Sequence, residues 1–395
     1  MLTPEELRQP HLSFGLEGLS DAQRTAFFHT LTRYGLATLA RQRALLQKQK
    51  PYDLTAYKPL SSLMSCEEQP ALFGEQCIRQ GKVGALILAG GQATRLNCAG
   101  PKGALPVTPK TRKSLFHLLA ERIHAAGRQA GRELLVAVMT SPFNHVETLR
   151  HFEENHFFGL SSDPLFFFPQ SLLPLLDEQG NWLLEQPGLL ACGPDGNGNA
   201  LLHFYEQGLH AEWQQRGVEY VNVLFVDNPL ADPFDPEFIG FTASQQLEVG
   251  VKAIERLSLE EKMGLLVEER GKIKVVEYSE FIPETSASYR YGSPGQFCFS
   301  MEFIQSLCKD KSIILPWHLA HKRAKVIPAG EEAVRECMVY KCETFQFDLL
   351  DYAKRSAAIL YRRERCYAPL KNAVGDKSLQ TLLETLLAID EKRFT

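Results

Sequence analysis

Short apolar runs alternate with amphipathic stretches through the middle of this 395-residue chain. Runs rich in branched and aromatic side chains predict buried strands, and they cover residues 83–88, 134–139, 164–170 and 220–226. Apolar residues at helical spacing predict helices at residues 114–126, 144–155, 202–217 and 301–308. Strands and helices that alternate in this way predict an α/β fold with a mainly parallel sheet covered on both faces. Ligands of such sheets bind beyond the carboxyl ends of the strands.

The regions before and after this alternating pattern have different spacings of apolar residues. Ser20 is a candidate N-cap for a helix over residues 22–49. Apolar residues recur along it at helical spacing and predict a core-facing side: Phe27, Leu31 and Tyr34. Later in the chain the pattern predicts antiparallel strands at 249–253, 264–267 and 274–277, a long helix at 345–365 and a shorter helix at 377–392. We therefore expect a helical N-terminal segment at 1–80, a core at 81–330 and a short C-terminal helical region at 331–395.

Composition and charge narrow the class of protein. With 44% hydrophobic and 23% charged residues, the sequence has the composition of an ordinary globular protein. The formal net charge of -4 predicts no general attraction to nucleic acid or to an anionic membrane. Nine scattered cysteines without a Cys-x-x-Cys pair disfavour a disulfide framework or a zinc site and favour a reducing compartment. We expect no signal peptide, no membrane span and a cytoplasmic location.

Residues 83–107 are the strongest candidate for chemistry. The predicted strand runs into Ala89-Gly90-Gly91, where the lack of bulky side chains lets backbone N–H groups approach a phosphate. Arg95 and Lys102 follow and supply positive charge for that phosphate. The stretch is neither a Gly-x4-Gly-Lys-Ser/Thr phosphate loop nor a Gly-x-Gly-x-x-Gly dinucleotide fingerprint. A plain strand and turn with two surface cations remains the alternative.

A second glycine-rich loop, PDGNGN at residues 194–199, precedes the helix predicted at 202. Its backbone groups and flexible amide can serve a polar ligand, and a plain surface turn explains it equally well. Asp227 follows the apolar strand at 220–226. A carboxylate there can share a Mg²⁺ ion with phosphates, or it can close the strand in an Asx turn.

Three further charged residues have weak local signals. Glu277 lies in an alternating strand, where it can accept hydrogen bonds from sugar hydroxyls or simply face solvent. Lys341 and Lys371 lie just before and just after the predicted long helix. Single lysines are most often solvated surface residues, and the local sequence alone favours that interpretation for both.

Taken together, these segments resemble the eukaryotic-type UDP-sugar pyrophosphorylase family, most closely its UDP-N-acetylglucosamine pyrophosphorylases. The similarity runs in collinear order through LAGGQATRL, GPKG, FFFPQSLLP, GPDGNGNAL, VLFVDNPLADPFDPEFIGF, VVEYSE, KCETFQFD and APLKNA. The resemblance implies a Rossmann-like nucleotidyltransferase core, Mg²⁺, and transfer of uridylyl from UTP to a sugar 1-phosphate. The expected partners are UTP and a sugar 1-phosphate, with no nucleic acid and no membrane, in a monomer or a weak homo-oligomer.

The resemblance also implies a role for each matched residue. The residues implied at the nucleotide and its phosphates are Ala89, Gly90, Gly91, Arg95 and Lys102, with Gln170 and Gly196 at uracil. Those implied at the sugar are Asn197, Gly264 and Glu277. Asp227 is implied at the metal, and Lys341 and Lys371 are implied to neutralise the phosphates of both substrates.

The sequence departs from the family pattern at a few positions. Ala93 and Asn97 stand where the family usually has glycine. The Ser-Pro-Gly-Gln at residues 293–296 matches the place of an Asn-x-x-Asn that helps to read the sugar. We expect N-acetylglucosamine 1-phosphate as the acceptor, with glucose 1-phosphate or galactose 1-phosphate as the alternative. A non-catalytic module that binds a UDP-sugar is the alternative of another class.

Overall fold

Packing divides the chain into two units, each assembled from segments that are distant in sequence. The computed structural model describes residues 1–48, 53–69, 71–91, 96 and 100–390. Unit 1 consists of Met1–Lys50, Ser171–Asn199 and Leu315–Phe345. Unit 2 consists of Pro51–Gln170, Ala200–Ile314 and Gln346–Thr395. The division by role at residues 80 and 330 stays a prediction.

The helices and strands of the described residues are as follows. The α-helices are α1 (Asp21–Gln47), α2 (Ala71–Arg79), α3 (Leu115–Ala130), α4 (His145–Glu154), α5 (Ala200–Glu206), α6 (Leu209–Gln215), α7 (Pro236–Ser244), α8 (Met301–Lys309), α9 (Arg363–Cys366) and α10 (Leu379–Ile389). The 3-10 helices are Pro10–Ser13, Leu16–Gly18, Leu54–Ala56, Cys66–Glu68, Lys102–Ala104, His156–Gly159, Pro283–Ser286 and Gln346–Asp351. The strands are β1 (Lys58–Pro59), β2 (Met64–Ser65), β3 (Val83–Leu88), β4 (Val136–Thr140), β5 (Leu165–Pro169), β6 (Leu172–Pro174), β7 (Leu184–Gln186), β8 (Leu189–Leu190), β9 (Cys192–Pro194), β10 (Tyr220–Phe225), β11 (Val249–Glu255), β12 (Leu265–Glu269), β13 (Lys272–Val276), β14 (Tyr291–Gly292), β15 (Phe297–Ser300), β16 (His318–Val326), β17 (Arg335–Glu343) and β18 (Ser356–Leu360).

Unit 2 is organised around one mixed sheet. Its strand order is β1-β12-β14-β11-β15-β10-β3-β4-β5, with β13 paired to β12 and β18 paired to β11 and β2. The strands β10, β3, β4 and β5 are parallel neighbours, and β15 runs antiparallel to β10 and β11. Every residue of β3 and β4 is buried, which is typical of strands covered on both faces. The predicted α/β fold class is confirmed.

Most of the predicted helices of unit 2 are confirmed, and their ends have local causes. The hydroxyl of Ser114 accepts a hydrogen bond from the N–H of His117 at the start of α3, and Gly131 ends that helix with φ +67°. The helix predicted over residues 202–217 is two helices, α5 and α6. Gly208, with φ +78°, lies between them and breaks the helical path.

The long helix predicted over residues 345–365 is wrong. The segment forms the 3-10 helix Gln346–Asp351, the strand β18 and the four-residue helix α9. In β18, Ser356 to Leu360 pair in parallel with Val249 to Ala253 of β11. That partner strand lies about a hundred residues earlier in the chain, so nothing in the sequence near residues 356–360 indicates the pairing. In the folded protein the pairing outweighs the helical spacing of the local apolar residues. Only the short helix at the end of the chain, α10, agrees with the helical C-terminal prediction.

Unit 1 packs α1 with small β-elements. Ser20 and Gln23 form a capping box at the start of α1, and Phe27 and Leu31 are buried in a cluster that includes Trp182. The predicted helix over residues 22–49 is therefore confirmed, with its end at Gln47. The β-elements are the antiparallel ribbon of β16 and β17 and the pairs β6–β9 and β7–β8.

Candidate functional site

Two candidate residues of unit 2, Ala89 and Asp227, lie beyond the carboxyl ends of β3 and β10. These strands are parallel neighbours, with Leu88 opposite Phe225. Val226 extends the pairing, since its N–H donates to the carbonyl of Leu88 at 3.1 Å. Ala89 and Asp227 therefore follow two adjacent strand ends, where α/β sheets bind ligands.

The first glycine loop is held against Gln170. A Cβ at Gly90 would lie 2.0 Å from the side-chain nitrogen of Gln170, so glycine allows that amide to lie against the loop. The backbone N–H of Gln170 donates to the carbonyl of Thr140 at 2.9 Å, which holds Gln170 at the end of β5. The side-chain amide of Asn144 donates to the carbonyl of Ala89 at 3.0 Å. The loop thus presents bare backbone beside a side-chain amide, an arrangement that suits a polar ring or a phosphate.

The continuation of this loop is described only in part. Gly91 is exposed. Arg95, which the resemblance implies at the UTP phosphates, lies outside the described residues, as do Ala93 and Asn97.

Lys102 and Asp227 meet at the same strand ends. The Nζ of Lys102 lies 3.3 Å from Oδ2 of Asp227, and the two side chains are 16% and 15% exposed. Lys102 begins the 3-10 helix Lys102–Ala104, and Asp227 follows β10 by two residues. Both charges are close enough to pair and open enough to reach a ligand.

Hydrogen bonds fix the segment that carries Lys371 beside Asp227. The N–H of Leu370 donates to the backbone carbonyl of Asp227 at 2.8 Å. The side chain of Asn228 accepts from the N–H of Ala368 at 3.0 Å and donates to the carbonyl of Cys366 at 2.7 Å. Residues 366–370 are therefore fixed to the end of β10, although they lie more than a hundred residues further along the chain.

Lys371 has a second lysine as its neighbour. Its backbone N–H donates to the carbonyl of Lys377 at 2.7 Å. Burial, and then the positive charge of Lys371, lowers the pKa of Lys377. The ammonium of Lys377 donates to the carbonyl of Lys262 at 2.8 Å. Asp376 lies 3.9 Å from the Lys377 ammonium, so this region carries carboxylates as well as lysines. Lysines at such a site suit a ligand that carries phosphate groups.

Two of the three residues implied at the sugar, Gly264 and Glu277, are neighbours in unit 2. A Cβ at Gly264 would lie 3.6 Å from Oε2 of Glu277 and 2.7 Å from the Val275 side chain. The carbonyl of Gly264 accepts from the N–H of Ser293 at 3.0 Å. The Ser-Pro-Gly-Gln stretch that replaces Asn-x-x-Asn thus begins next to Gly264 and Glu277.

In unit 1, the second glycine loop packs against the end of the β16–β17 ribbon. Gly196 has φ +90°, and a Cβ there would lie 2.2 Å from the carbonyl oxygen of Thr344 and 3.1 Å from Cβ of Glu343. The N–H of Asn197 donates to the same Thr344 carbonyl at 2.9 Å. Position 196 therefore requires glycine for two reasons, its positive φ and the lack of room for a Cβ.

Lys341 lies against the same loop. Its Cε would be 3.1 Å from a Cβ at Gly193, so the stem of the lysine packs on bare backbone. Its Nζ lies 2.5 Å from Oε1 of Glu343, and the two side chains are 12% and 23% exposed. Unit 1 thus brings together Gly196, Asn197 and Lys341. In unit 2, Lys102 and the Lys371 segment lie beside Asp227, and Gly264 lies beside Glu277.

Sequence reasoning missed several residues that support these two groups. Asn228 could have been found, because it follows Asp227 directly in the VDN motif. Lys377 and Glu343 have no local signature, since a single charge in a sequence is normally a solvated one. Their significance comes only from their neighbours in space.

Two other classes of chemistry have no support among the described residues. They contain no group of three or more His, Cys, Asp or Glu side chains that could hold a metal ion unaided. The eight described cysteines are free thiols. Burial raises the pKa of Cys298 and of Cys366 to about 12, so both stay protonated and unreactive at neutral pH.

A cavity of about 350 Å³ lies at the opposite, amino-terminal ends of β4 and β5. Ile123, Leu134 and Leu165 are among its lining residues, and none of the candidate residues lines it. Within the described part of the chain, no helix is both long and apolar enough to cross a membrane.

Known proteins are similar to this chain in sequence and fold over most of its length. The chain is 36% identical over 316 residues to the human UDP-N-acetylhexosamine pyrophosphorylase-like protein 1, across 76% of this chain and 62% of the relative. It is 30% identical to UDP-N-acetylglucosamine pyrophosphorylase of Saccharomyces cerevisiae, across 83% of this chain and 72% of the relative. The crystal structure of uridine diphosphate N-acetylglucosamine pyrophosphorylase from Trypanosoma brucei superposes with a TM-score of 0.82 at 26% identity, across 98% of this chain and 83% of that one.

The chain is shorter than several of these relatives. It spans 62%, 66% and 64% of the lengths of the human, mouse and first Arabidopsis thaliana relatives. The model of the UTP–glucose-1-phosphate uridylyltransferase family matches residues 25–391, which is nearly the whole chain. On that match and these identities, the chain belongs to the UTP–glucose-1-phosphate uridylyltransferase family.

Proposed function

We propose that this chain transfers uridylyl from UTP to a sugar 1-phosphate, which yields a UDP-sugar and pyrophosphate. Family membership supports uridylyl transfer. The name of the yeast relative supports N-acetylglucosamine 1-phosphate as the acceptor, and the name of the human relative supports an N-acetylhexosamine. One observation carries the proposal. The partly exposed side chains of Lys102 and Asp227 pair beyond the end of β10, and the Leu370 N–H fixes the Lys371 segment beside Asp227.

The reaction needs positioning and charge more than it needs a reactive side chain. A sugar phosphate is already ionised near neutral pH, and its oxygen attacks the α-phosphorus of UTP while pyrophosphate leaves. No covalent enzyme nucleophile is required, which agrees with the protonated state of the buried thiols. The obstacle is the repulsion between two polyanions, and fixed cations lower that barrier.

The proposed roles follow from what each residue contacts. Lys102 binds a UTP phosphate, and its pairing with Asp227 holds its ammonium at the strand ends. Lys371, at the end of the segment fixed to β10, binds a phosphate on the same side. Arg95 and Lys341 remain proposals of the same kind, from the resemblance and from the stem of Lys341 against Gly193.

The nucleotide and sugar residues are proposed from contacts within each unit. Ala89, Gly90 and Gly91 offer backbone to the uridine and phosphates, and Gln170 offers its amide to uracil. In unit 1, Gly196 and Asn197 offer backbone to uracil and sugar. In unit 2, Gly264 and Glu277 form the proposed contact surface for sugar hydroxyls.

Asp227 is the proposed magnesium ligand. Magnesium keeps several waters and binds through one or two carboxylates together with substrate phosphates, so a single, partly exposed carboxylate suits it. The absence of a larger acidic group among the described residues fits this mode and argues against an all-protein cage. When bound, the ion supplies charge neutralisation and polarises a phosphoryl oxygen.

A panel of acceptors tests the proposal. UTP and Mg²⁺ are mixed with N-acetylglucosamine, glucose or galactose 1-phosphate, and pyrophosphate release is measured. We expect the fastest release with N-acetylglucosamine 1-phosphate. Faster release with glucose 1-phosphate would support the second candidate, which the Ser-Pro-Gly-Gln segment beside Gly264 favours. Binding of UDP-sugar without pyrophosphate exchange would support a non-catalytic binding module instead.

The free cysteines support our further proposal of a cytoplasmic location.

A further inference from the structure

The β16–β17 ribbon of unit 1 carries a second lysine on the same face as Lys341. In the antiparallel register, Ala320 lies opposite Lys341 and Lys322 lies opposite Val339. Because side chains alternate across a strand, Lys322 and Lys341 project from the same face. They are diagonal neighbours, at a spacing of roughly 7–8 Å that long side chains can bridge.

That face of the ribbon is mostly apolar. Val339 is 0% exposed and Val326 is 1% exposed, and both pack in a cluster with Leu175 and Leu183. Lys322 is only partly exposed on this face. Burial, and then the charge of Lys341, lowers the pKa of Lys322, while Glu343 opposes that effect. A desolvated cation beside another cation is destabilising unless something compensates it.

The charges of this cluster do not balance. The carboxylate of Glu343 lies 2.5 Å from Lys341, and it is the acid that pairs with that lysine. Lys322 forms no ion pair with any residue that the structure describes, so two cations share one carboxylate. Glu343 in turn packs beside Gly196, whose added Cβ would lie 3.1 Å from its Cβ. The cluster of Lys322, Lys341 and Glu343 therefore borders the second glycine loop, which carries the carboxylate of Asp195.

We infer that Lys322 is a further phosphate-binding residue, which works together with Lys341 to hold a phosphate or diphosphate group of the substrate or product. This inference rests on the proposed function and deepens it. Glu343 holds the Lys341 ammonium in place when no phosphate is bound, and the phosphate provides the second negative charge that the cluster lacks. Lys322 needs no role in bond making; it contributes charge at the bound anion.

A charge-removing variant that keeps the shape of the side chain tests the inference. Lys322→Met retains the apolar stem, so a lysine that only covers the Val339 cluster would be replaced without loss. Binding of UDP-N-acetylglucosamine and of inorganic pyrophosphate is measured by calorimetric titration in magnesium buffer. We expect Lys322→Met to weaken at least one of them about tenfold, as the loss of one charged hydrogen bond does. We expect Lys322→Arg to restore most of that affinity.

The same strand provides a matched control. Lys325 is exposed and projects from the opposite face of β16, so Lys325→Met should leave both affinities unchanged. Weakening of pyrophosphate alone would assign Lys322 to the leaving group, and weakening of the sugar nucleotide alone would assign it to the product diphosphate. Unchanged affinity for both probes in Lys322→Met would overturn the inference and leave the proposed function intact. Failure of the unaltered chain to bind either probe would overturn both.

Discussion

Two lysine–aspartate pairs in unit 2 have the same chemistry and opposite surroundings. Lys252 is 0% exposed and bonds directly to Asp235, which is 8% exposed. The hydroxyl of Tyr361 donates to Asp235 at 2.9 Å, and the ammonium of Lys252 lies 4.2 Å from the centre of the Tyr361 ring. Both charged groups of this pair are buried and have their partners inside the protein.

The second pair, between Lys102 and Asp227, is longer and more open. Its Nζ–Oδ2 distance is 3.3 Å, and its side chains are 16% and 15% exposed at the strand ends. The comparison teaches that pairing alone does not identify a functional charge. A closed pair holds a core together, whereas an open pair at the edge of a sheet keeps charge available to a ligand. The predictions below test that distinction, from the largest expected effect to the smallest.

The closed pair should be essential for stability. In Asp235→Ala the ammonium of Lys252 stays buried without its partner, and we expect a loss of about 3–5 kcal/mol in unfolding free energy. Urea unfolding measures it. The control is Glu219→Ala, which removes an exposed partner of Lys82 and should cost less than about 1 kcal/mol. Equal losses in the two variants would contradict the comparison.

Lys371 should be important for turnover and unimportant for stability. Lys371→Ala removes a cation whose backbone is already held by the Lys377 carbonyl, so we expect normal folding. Turnover of UTP and sugar 1-phosphate should fall by roughly 10²–10³-fold, as for the loss of single charge-stabilising donors in other enzymes. Lys311→Ala, at an exposed lysine of the same unit, serves as the control. Near-normal turnover in Lys371→Ala would remove that lysine from the mechanism.

Substitutions in the first glycine loop, at Gly90 and Gly91, should have a smaller effect than the loss of Lys371. In Gly90→Ala the new methyl would lie 2.0 Å from the Gln170 amide, so that amide must move. We expect UTP to bind about tenfold more weakly, the loss of roughly one hydrogen bond to the base. Gly91→Ala should perturb the loop less, because its Cβ would meet no described atom within 4 Å. UTP titration of the two variants compares them, and a larger loss at Gly91 would contradict the contact with Gln170.

The smallest expected effect is that of mild acid on the closed pair. Burial alone would raise the pKa of Asp235, but the charge and hydrogen bond of Lys252 outweigh it and lower the pKa below its ordinary value. The stabilisation by Asp235 is therefore fully present above the ordinary carboxyl pKa and is lost only as pH falls through the lowered one. Burial, and then Asp235, raises the pKa of Glu237, so the comparison is made in a Glu237→Gln background. There we expect the stability difference between Asp235 and Asp235→Asn to stay constant from about pH 7 to 5. A difference that already shrinks across this range would contradict the assigned direction.

The sequence predicted those parts of the fold that have local causes. Val83–Leu88 is a continuous apolar run, and Ser114 and Gly131 mark the start and end of α3. Strand β3 and helix α3 could therefore be predicted from their own residues, without knowledge of what they pack against. Ser356–Leu360 could not, because its pairing with β11 depends on residues a hundred positions away. The two units could not be delimited either, since each collects three separate segments of the chain.

Some residues of the candidate site could likewise be predicted from local sequence, and others could not. Asp227 and the first glycine loop follow apolar strands and could be found from that position alone. Lys341 and Lys371 depended on a family resemblance. Lys322 and Lys377 had neither signal, because their desolvation and their lysine neighbours arise only in the folded chain.

The most direct test of the account compares Lys102→Met with Lys252→Met, with turnover and thermal unfolding measured on the same samples. We predict that Lys102→Met loses turnover by roughly 10²–10³-fold and unfolds within about 3 °C of the unaltered chain. Lys252→Met should instead lose stability and keep turnover per folded molecule. Wild-type turnover in Lys102→Met would contradict the claim that the open pair at the sheet edge serves the reaction.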